Sequence, residues 1–229
     1  KPPSKVFTMC SARYVYYVPG LYRRRCNLTG RSTGRGWTSS TIIIMNYYGA
    51  KDLAASFKTV RDNTIKIAEE IDESKYDFRA TPETRSVREY LIHIAHLTDV
   101  PYEIHGVQKR MALAGFDYMG FIGPIIADEK NPHSKADIIQ MLTAGRDLFG
   151  NWLAGLTDDF LGDAVGMPPY PNNPPTKTRF EMLLGTKEHE MHHRGQLMIL
   201  ERMIGIVPHL TRQMQQRMAM AQAQPAGKA

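Results

Sequence analysis

Beyond Cys26 the chain has no cysteine. Cys10 and Cys26 are its only two, so the body has no disulfide framework, no thiolate metal ligand and no cysteine nucleophile. That usage suits a reducing compartment, and the expected location is cytoplasmic. Long apolar runs are missing as well. No stretch approaches the ~18 residues needed to span a bilayer, so no membrane role is expected. Tyr14 to Tyr22, the nearest candidate for a signal-peptide core, is broken by Pro19 and Gly20. Acid is absent from residues 1–44, which carry eight basic residues; the rest of the chain holds 21 basic and 23 acidic ones. The formal charge of +6 therefore belongs to the N-terminal fifth. The remainder is near-neutral, so no nucleic-acid partner is expected for the main domain. The glycines of residues 30–36 lack the Gly-Lys-Ser/Thr ending of a phosphate loop.

Residues 1–44 mix Pro, Gly, Ser, Thr and Arg without helical period and end in Thr41-Ile42-Ile43-Ile44. Three readings stay open. The segment is a disordered extension or sequence upstream of a start at Met45, a cleaved targeting peptide, or a basic arm for nucleic acid around Tyr14, Tyr16, Tyr17 and Arg23 to Arg25.

From Met45 the pattern changes. Leu53, Phe57, Val60, Thr64, Ile67 and Ile71 recur at spacings of four and three, which predicts an amphipathic helix of about six turns. Ser86-Val87-Arg88-Glu89 has the form of a capping box and opens a second helix that stops or kinks before Pro101. A Gly-rich apolar connection, Gly115 to Pro124, has room for a short helix. Ser134 opens a third helix with Ile138, Leu142, Phe149, Trp152 and Leu156 on its apolar side. Asn172 to Pro175 is a breaker. Thr178-Arg179-Phe180-Glu181 is another capping box, and the helix it opens ends near Ile204, before Gly205 and Pro208. No strand-like alternation separates these segments and no internal repeat is present. The expected fold is all-α, a four-helix bundle over residues 45–210, with an irregular N-terminal extension and a flexible Gln/Met/Ala-rich tail at 211–229.

The segment His189-Glu190-Met191-His192-His193-Arg194-Gly195-Gln196 carries the most chemistry. On a helix, residues 189 and 193 lie on one face with Cβ atoms ~5–6 Å apart, so both imidazoles can reach a single ion. With eight histidines in the chain, such a pair carries little weight alone; an exposed polar face or one satisfied core histidine explains it equally well. The letters also fit His-Glu-x-x-His, the metalloprotease helix, with Glu190 as general base. The downstream positions argue against that reading. Gln196 and Ile199 stand where the extended motif needs Gly and His, and Glu201 is only eight residues on, in the same helix. The third ligand is better sought upstream, in His93 or His96 of the second helix, with Glu89 as a pairing partner or orienting acceptor for His93.

Taken together these residues resemble the DinB/YfiT-like family of metal-dependent four-helix bundles. The family's Ser-Val-x-Glu-x-Leu-x-His segment is matched by Ser86, Val87, Glu89, Leu91 and His93, and its His-x-x-x-His-Arg-Gly-Gln segment by His189, His193, Arg194, Gly195 and Gln196. The resemblance covers about Met45 to Pro208. It implies His93, His189 and His193 as ligands of a divalent ion (zinc, nickel, iron or manganese) and leaves His96 and His192 as extras; the spacing of four makes Glu188 a partner for His192. It also implies a homodimer. The activity it implies is transfer of a low-molecular-weight thiol of the bacillithiol or mycothiol kind to a small electrophile, the thiol arriving from outside a body that lacks cysteine. Two other classes remain: a metal-binding stress-response protein without turnover, and a metal-dependent hydrolase of a small substrate. The substrate pocket is expected to draw on Gly115 to Pro124 and on the loop from Gly166 to Pro175.

Overall fold

The computed structural model describes residues 48–223; the three readings of residues 1–44 lie outside the described residues. Helix α1 spans Ala50–Glu70. Its predicted stripe of Leu53, Phe57, Val60, Thr64 and Ile67, with Ile71 just beyond, is buried throughout, each fully buried apolar side chain contributing about 1.5–3 kcal/mol. Helix α2 is Val87–His96, and a short α3, Asp99–Tyr102, follows it and runs into a π-helical turn at Glu103–Val107. The break falls where Pro101 predicts it, and the proline itself sits in the first turn of α3, where a missing N–H leaves no bond unmade. Helices α4 (Tyr118–Asp128), α5 (Lys135–Ala154) and α6 (Asp158–Gly162) come next. Strands β1 (Ala164–Gly166) and β2 (Thr176–Thr178) then pair antiparallel, with Val165 opposite Lys177. Helix α7 is Arg179–Met203 and α8 is His209–Ala223.

Helices α1, α2, α5 and α7 form the bundle, α1 lying most extensively on α5 and both α1 and α2 touching α7. The core divides in two. Ile67, Ile71, Leu91, Ile94, Leu142 and Leu197 fill one region. Leu53, Phe57, Phe149, Leu153 and Leu183 fill the other, where Phe57 and Phe149 meet edge-on at 5.1 Å. Among the described residues no helix is long and apolar enough to cross a membrane.

Several expectations change. The β1–β2 ladder was not anticipated, because strands of three residues are too short to show alternation; Asn172 to Pro175 lies in the loop between them. Helix α4 runs through Pro124 to Asp128 instead of ending in the Gly-rich connection. Thr178 caps α7 by accepting from Glu181 N at 3.1 Å, but the carboxylate of Glu181 turns to Lys177 (3.1 Å), so the box is half made. The tail expected from residue 211 continues helix α8 as far as Ala223, and the one buried residue of that helix is His209, ahead of the tail.

Candidate metal centre

Ser86 sets the start of α2: its Oγ accepts from Glu89 N and its N–H donates to Glu89 Oε2 at 2.7 Å. Counting on from that cap, His93 falls in the last turn of α2. His189 and His193 lie one turn apart in the middle of α7, the helix that packs against α2. Each of the three offers a ring nitrogen, and these nitrogens lie within 4.8 Å of one another. His96 does not join them. Its Nδ1 and Nε2 lie 2.7 Å from Asp99 and 2.9 Å from Asp128, and the Asp99 bond, followed by that of Asp128, holds its pKa above the usual value.

Hydrogen bonds fix where the lone pairs are. Glu129 Oε1 accepts from His93 Nδ1 at 2.7 Å, which leaves the lone pair of the neutral ring on Nε2. That Nε2 is buried and has no partner, an arrangement that calls for a ligand. Gln196 Oε1 accepts from His193 Nδ1 at 2.7 Å, so His193 Nε2 is likewise an acceptor. It lies 2.9 Å from His189 Nε2, whose proton bridges the two rings until something replaces it. Burial first, and the neighbouring histidines after it, push His193 down to about 4 and His189 below the usual value. Both rings are thus neutral at pH 7, the form a metal requires. Nitrogen ligands sit ~2.0–2.1 Å from a divalent ion, and the three donors fit one after small ring shifts. Glu129 and Gln196 play the orienting part that carboxylates and carbonyls play behind metal-bound imidazoles.

The orienting group for His93 was expected in Glu89. Instead Glu89 serves the Ser86 cap and Lys130 (2.6 Å), and Glu129, 36 residues away, takes that place. Its carboxyl stays below its usual pKa because bonds from His93 and Arg85 outweigh the opposing effect of burial. Gln196 was in view as a mismatch to a protease motif and as the end of the family segment, but without a role; its spacing of three from His193 on one helix was the signal for that role. Glu190, the would-be protease base, points elsewhere. It is fully buried and accepts from Arg61 Nε at 2.9 and 3.0 Å and from Thr64 Oγ1 at 2.8 Å. His192 is exposed and makes no ion pair with Glu188 among the described residues; its ring lies 4.9 Å from that of His193.

Beside the triad is a cavity of about 430 Å³, with His93 and His189 in its wall. Helix α4 supplies one side. Tyr118, Ile122, Ile125 and Ile126 line the cavity at helical spacing, and Glu129, next on the same face, reaches His93. The expected contribution of Gly115 to Pro124 is thereby met in part. Residues of the Gly166–Pro175 loop do not line this cavity; Met182, Gly185 and Thr186 of α7 stand there instead.

Comparison with known proteins agrees with this architecture. The family model of the DinB superfamily matches residues 56–197. Among solved structures, YfiT from Bacillus subtilis, described as a probable metal-dependent hydrolase with an unusual four-helix bundle topology, superposes with a TM-score of 0.53 at 16% identity, covering 77% of this chain and 95% of YfiT. No curated protein matches the chain.

Proposed function

The chain belongs to the DinB superfamily, and we propose that it is a metal-dependent hydrolase of a small substrate, with His93, His189 and His193 holding one divalent ion. The observation that carries this reading is the buried, partnerless Nε2 of His93, close to two further imidazole nitrogens and beside a cavity of substrate size. Held by these three histidines, a divalent ion would supply Lewis acidity to a water or to a substrate carbonyl. The chain's own residues do the rest. Glu129 and Gln196 lock the rings of His93 and His193, and the apolar wall of the cavity holds the substrate and excludes bulk water.

Thiol transfer is the second reading, and one observation favours it. Glu129 is committed to His93 and Arg85, and Glu190 to Arg61 and Thr64, so neither is a free base. A thiol that arrives as its thiolate, its proton already given to solvent, needs none. Against it, the apolar wall suits a large polar thiol cofactor poorly. The test is to load the protein with zinc, nickel, iron or manganese and assay small esters and amides, then electrophiles with added low-molecular-weight thiols. Hydrolysis lost in His93→Ala and on chelation supports the first reading; thiol consumption with the same dependence supports the second. Stoichiometric metal with neither reaction leaves a binding protein without turnover, and failure to bind metal removes all three.

A further inference from the structure

His105 stands in the wall of the same cavity, and the metal chemistry makes no use of it. It lies in the π-helical turn after α3, a backbone irregularity common at functional sites, and is 1% exposed. Arg179, equally buried, lies with its Nη1 2.9 Å from His105 Nδ1. A guanidinium has only donors and keeps its proton, so Nδ1 must be the acceptor and the ring's single proton is on Nε2. Burial, and after it the charge of Arg179, push the ring down to about 4, which keeps that neutral form at pH 7. Arg179 is held in turn by Asp163 at 3.3 Å and lies over the Phe160 ring at 4.5 Å. The tautomer is fixed from behind, and the guanidinium polarises the ring so that Nε2–H is a better donor. Nε2–H has no acceptor among the described residues.

The charged groups around this donor already have partners. Arg85 donates to Glu129 at 2.7 Å, and His96 is bonded to both Asp99 and Asp128. An ionic ligand would find no spare counter-charge from the protein, and burying an unpaired ion is strongly unfavourable. Leu97, Ile104, Leu113, Ile122 and Ile125 make the rest of the wall apolar.

We propose that this cavity takes a small uncharged molecule with an apolar body and a carbonyl oxygen (an ester, amide or ketone), and that His105 Nε2–H donates the hydrogen bond that selects that oxygen. The proposal rests on the hydrolase reading for the ligand's being the substrate, but the bond from His105 needs no metal. It is therefore tested on the full-length, metal-free protein, by NMR titration with hexanamide, hexanoate and hexylammonium. The ring ¹⁵N signals of His105 are expected to report the Nε2–H tautomer and to move on adding hexanamide, which binds more tightly than either ion. The double variant His105→Phe/Arg179→Met removes donor and guanidinium together, leaves only the solvent-exposed carboxylate of Asp163 without its partner, and is expected to bind hexanamide about tenfold more weakly. His105→Gln, which can still accept and donate, stays within about threefold of wild type. Unchanged hexanamide affinity in the double variant overturns the proposal. If that variant does not fold, hexanoate binding more tightly than hexanamide to wild type overturns it equally. His105-dependent binding without ester turnover by the zinc-loaded protein removes the hydrolase reading and leaves the ligand class standing; turnover indifferent to His105 does the reverse.

Discussion

Glu190 sits immediately after His189 on α7, yet the two residues serve clusters built on opposite rules. Glu190 accepts from Arg61 and Thr64 of α1, and Arg61 also donates to the carbonyls of Ile94 in α2 (2.9 Å) and Leu142 in α5 (3.3 Å). One fully buried guanidinium thus joins all four bundle helices, with both charges met. On the neighbouring face the His93–His189–His193 cluster is left unfinished: one buried nitrogen has no partner, and two others share a single proton. A polar cluster that satisfies itself fastens the fold, whereas one that ends in aligned, unmet acceptors is built for something that arrives from outside.

The comparison breaks first under substitution of each cluster. Arg61→Met leaves Glu190 buried and unpaired, and is expected to destabilise the metal-free protein by about 3–5 kcal/mol while the folded fraction still binds metal. His193→Ala should do the opposite, lowering metal affinity on the order of a thousandfold, one ligand's share of a structural-site binding energy, with a much smaller loss of metal-free stability. Urea denaturation and metal titration on both variants decide it. If Arg61→Met abolished metal binding by folded protein, the two clusters would be one unit and the contrast would be lost.

Much of this arrangement was legible in the sequence because it is local. The caps at Ser86, Ser134 and Thr178 and the 3.6-residue stripe of α1 are made within a turn or two, and the i, i+4 spacing put His189 and His193 on one face. Choosing His93 over His96 took the family resemblance; the structure separates them by giving His96 two carboxylates of its own. What the sequence concealed is long-range. Arg61 and Glu190 are 129 residues apart, and Arg179 and His105 are 74 apart. Glu129 reaches His93 only because α4 continues through Pro124, where a proline ordinarily argues for a break.

The groups behind the rings sharpen the comparison at a smaller scale. Glu129→Gln keeps the size of the side chain but weakens its hold on His93 Nδ1–H, and should reduce metal affinity about 10–100-fold. Glu89→Gln, the partner that sequence spacing favoured, should leave affinity within about twofold of wild type, because Glu89 is engaged elsewhere. Competition titrations against a chelator resolve both. Equal losses in the two variants would mean that general negative charge near His93, and not the hydrogen bond, is what matters.

The smallest expected effect is a dependence on pH in the absence of metal. His193 titrates at about 4 when folded, against about 6.5 for an ordinary histidine. Between those values the unfolded chain takes up a proton that the folded chain refuses, so the contribution of His193 to stability is fully present above about 6.5 and is lost as pH falls towards 4. His193→Gln has no proton to take up at this position. The difference in unfolding free energy between wild type and this variant should therefore shrink by about 1–2 kcal/mol from pH 7 to pH 5, measured by denaturation of metal-free protein at both values. A difference that stayed constant would place the ring in contact with water rather than in the dry, unfinished cluster, and the contrast with Glu190 would then rest on hydrogen bonding alone.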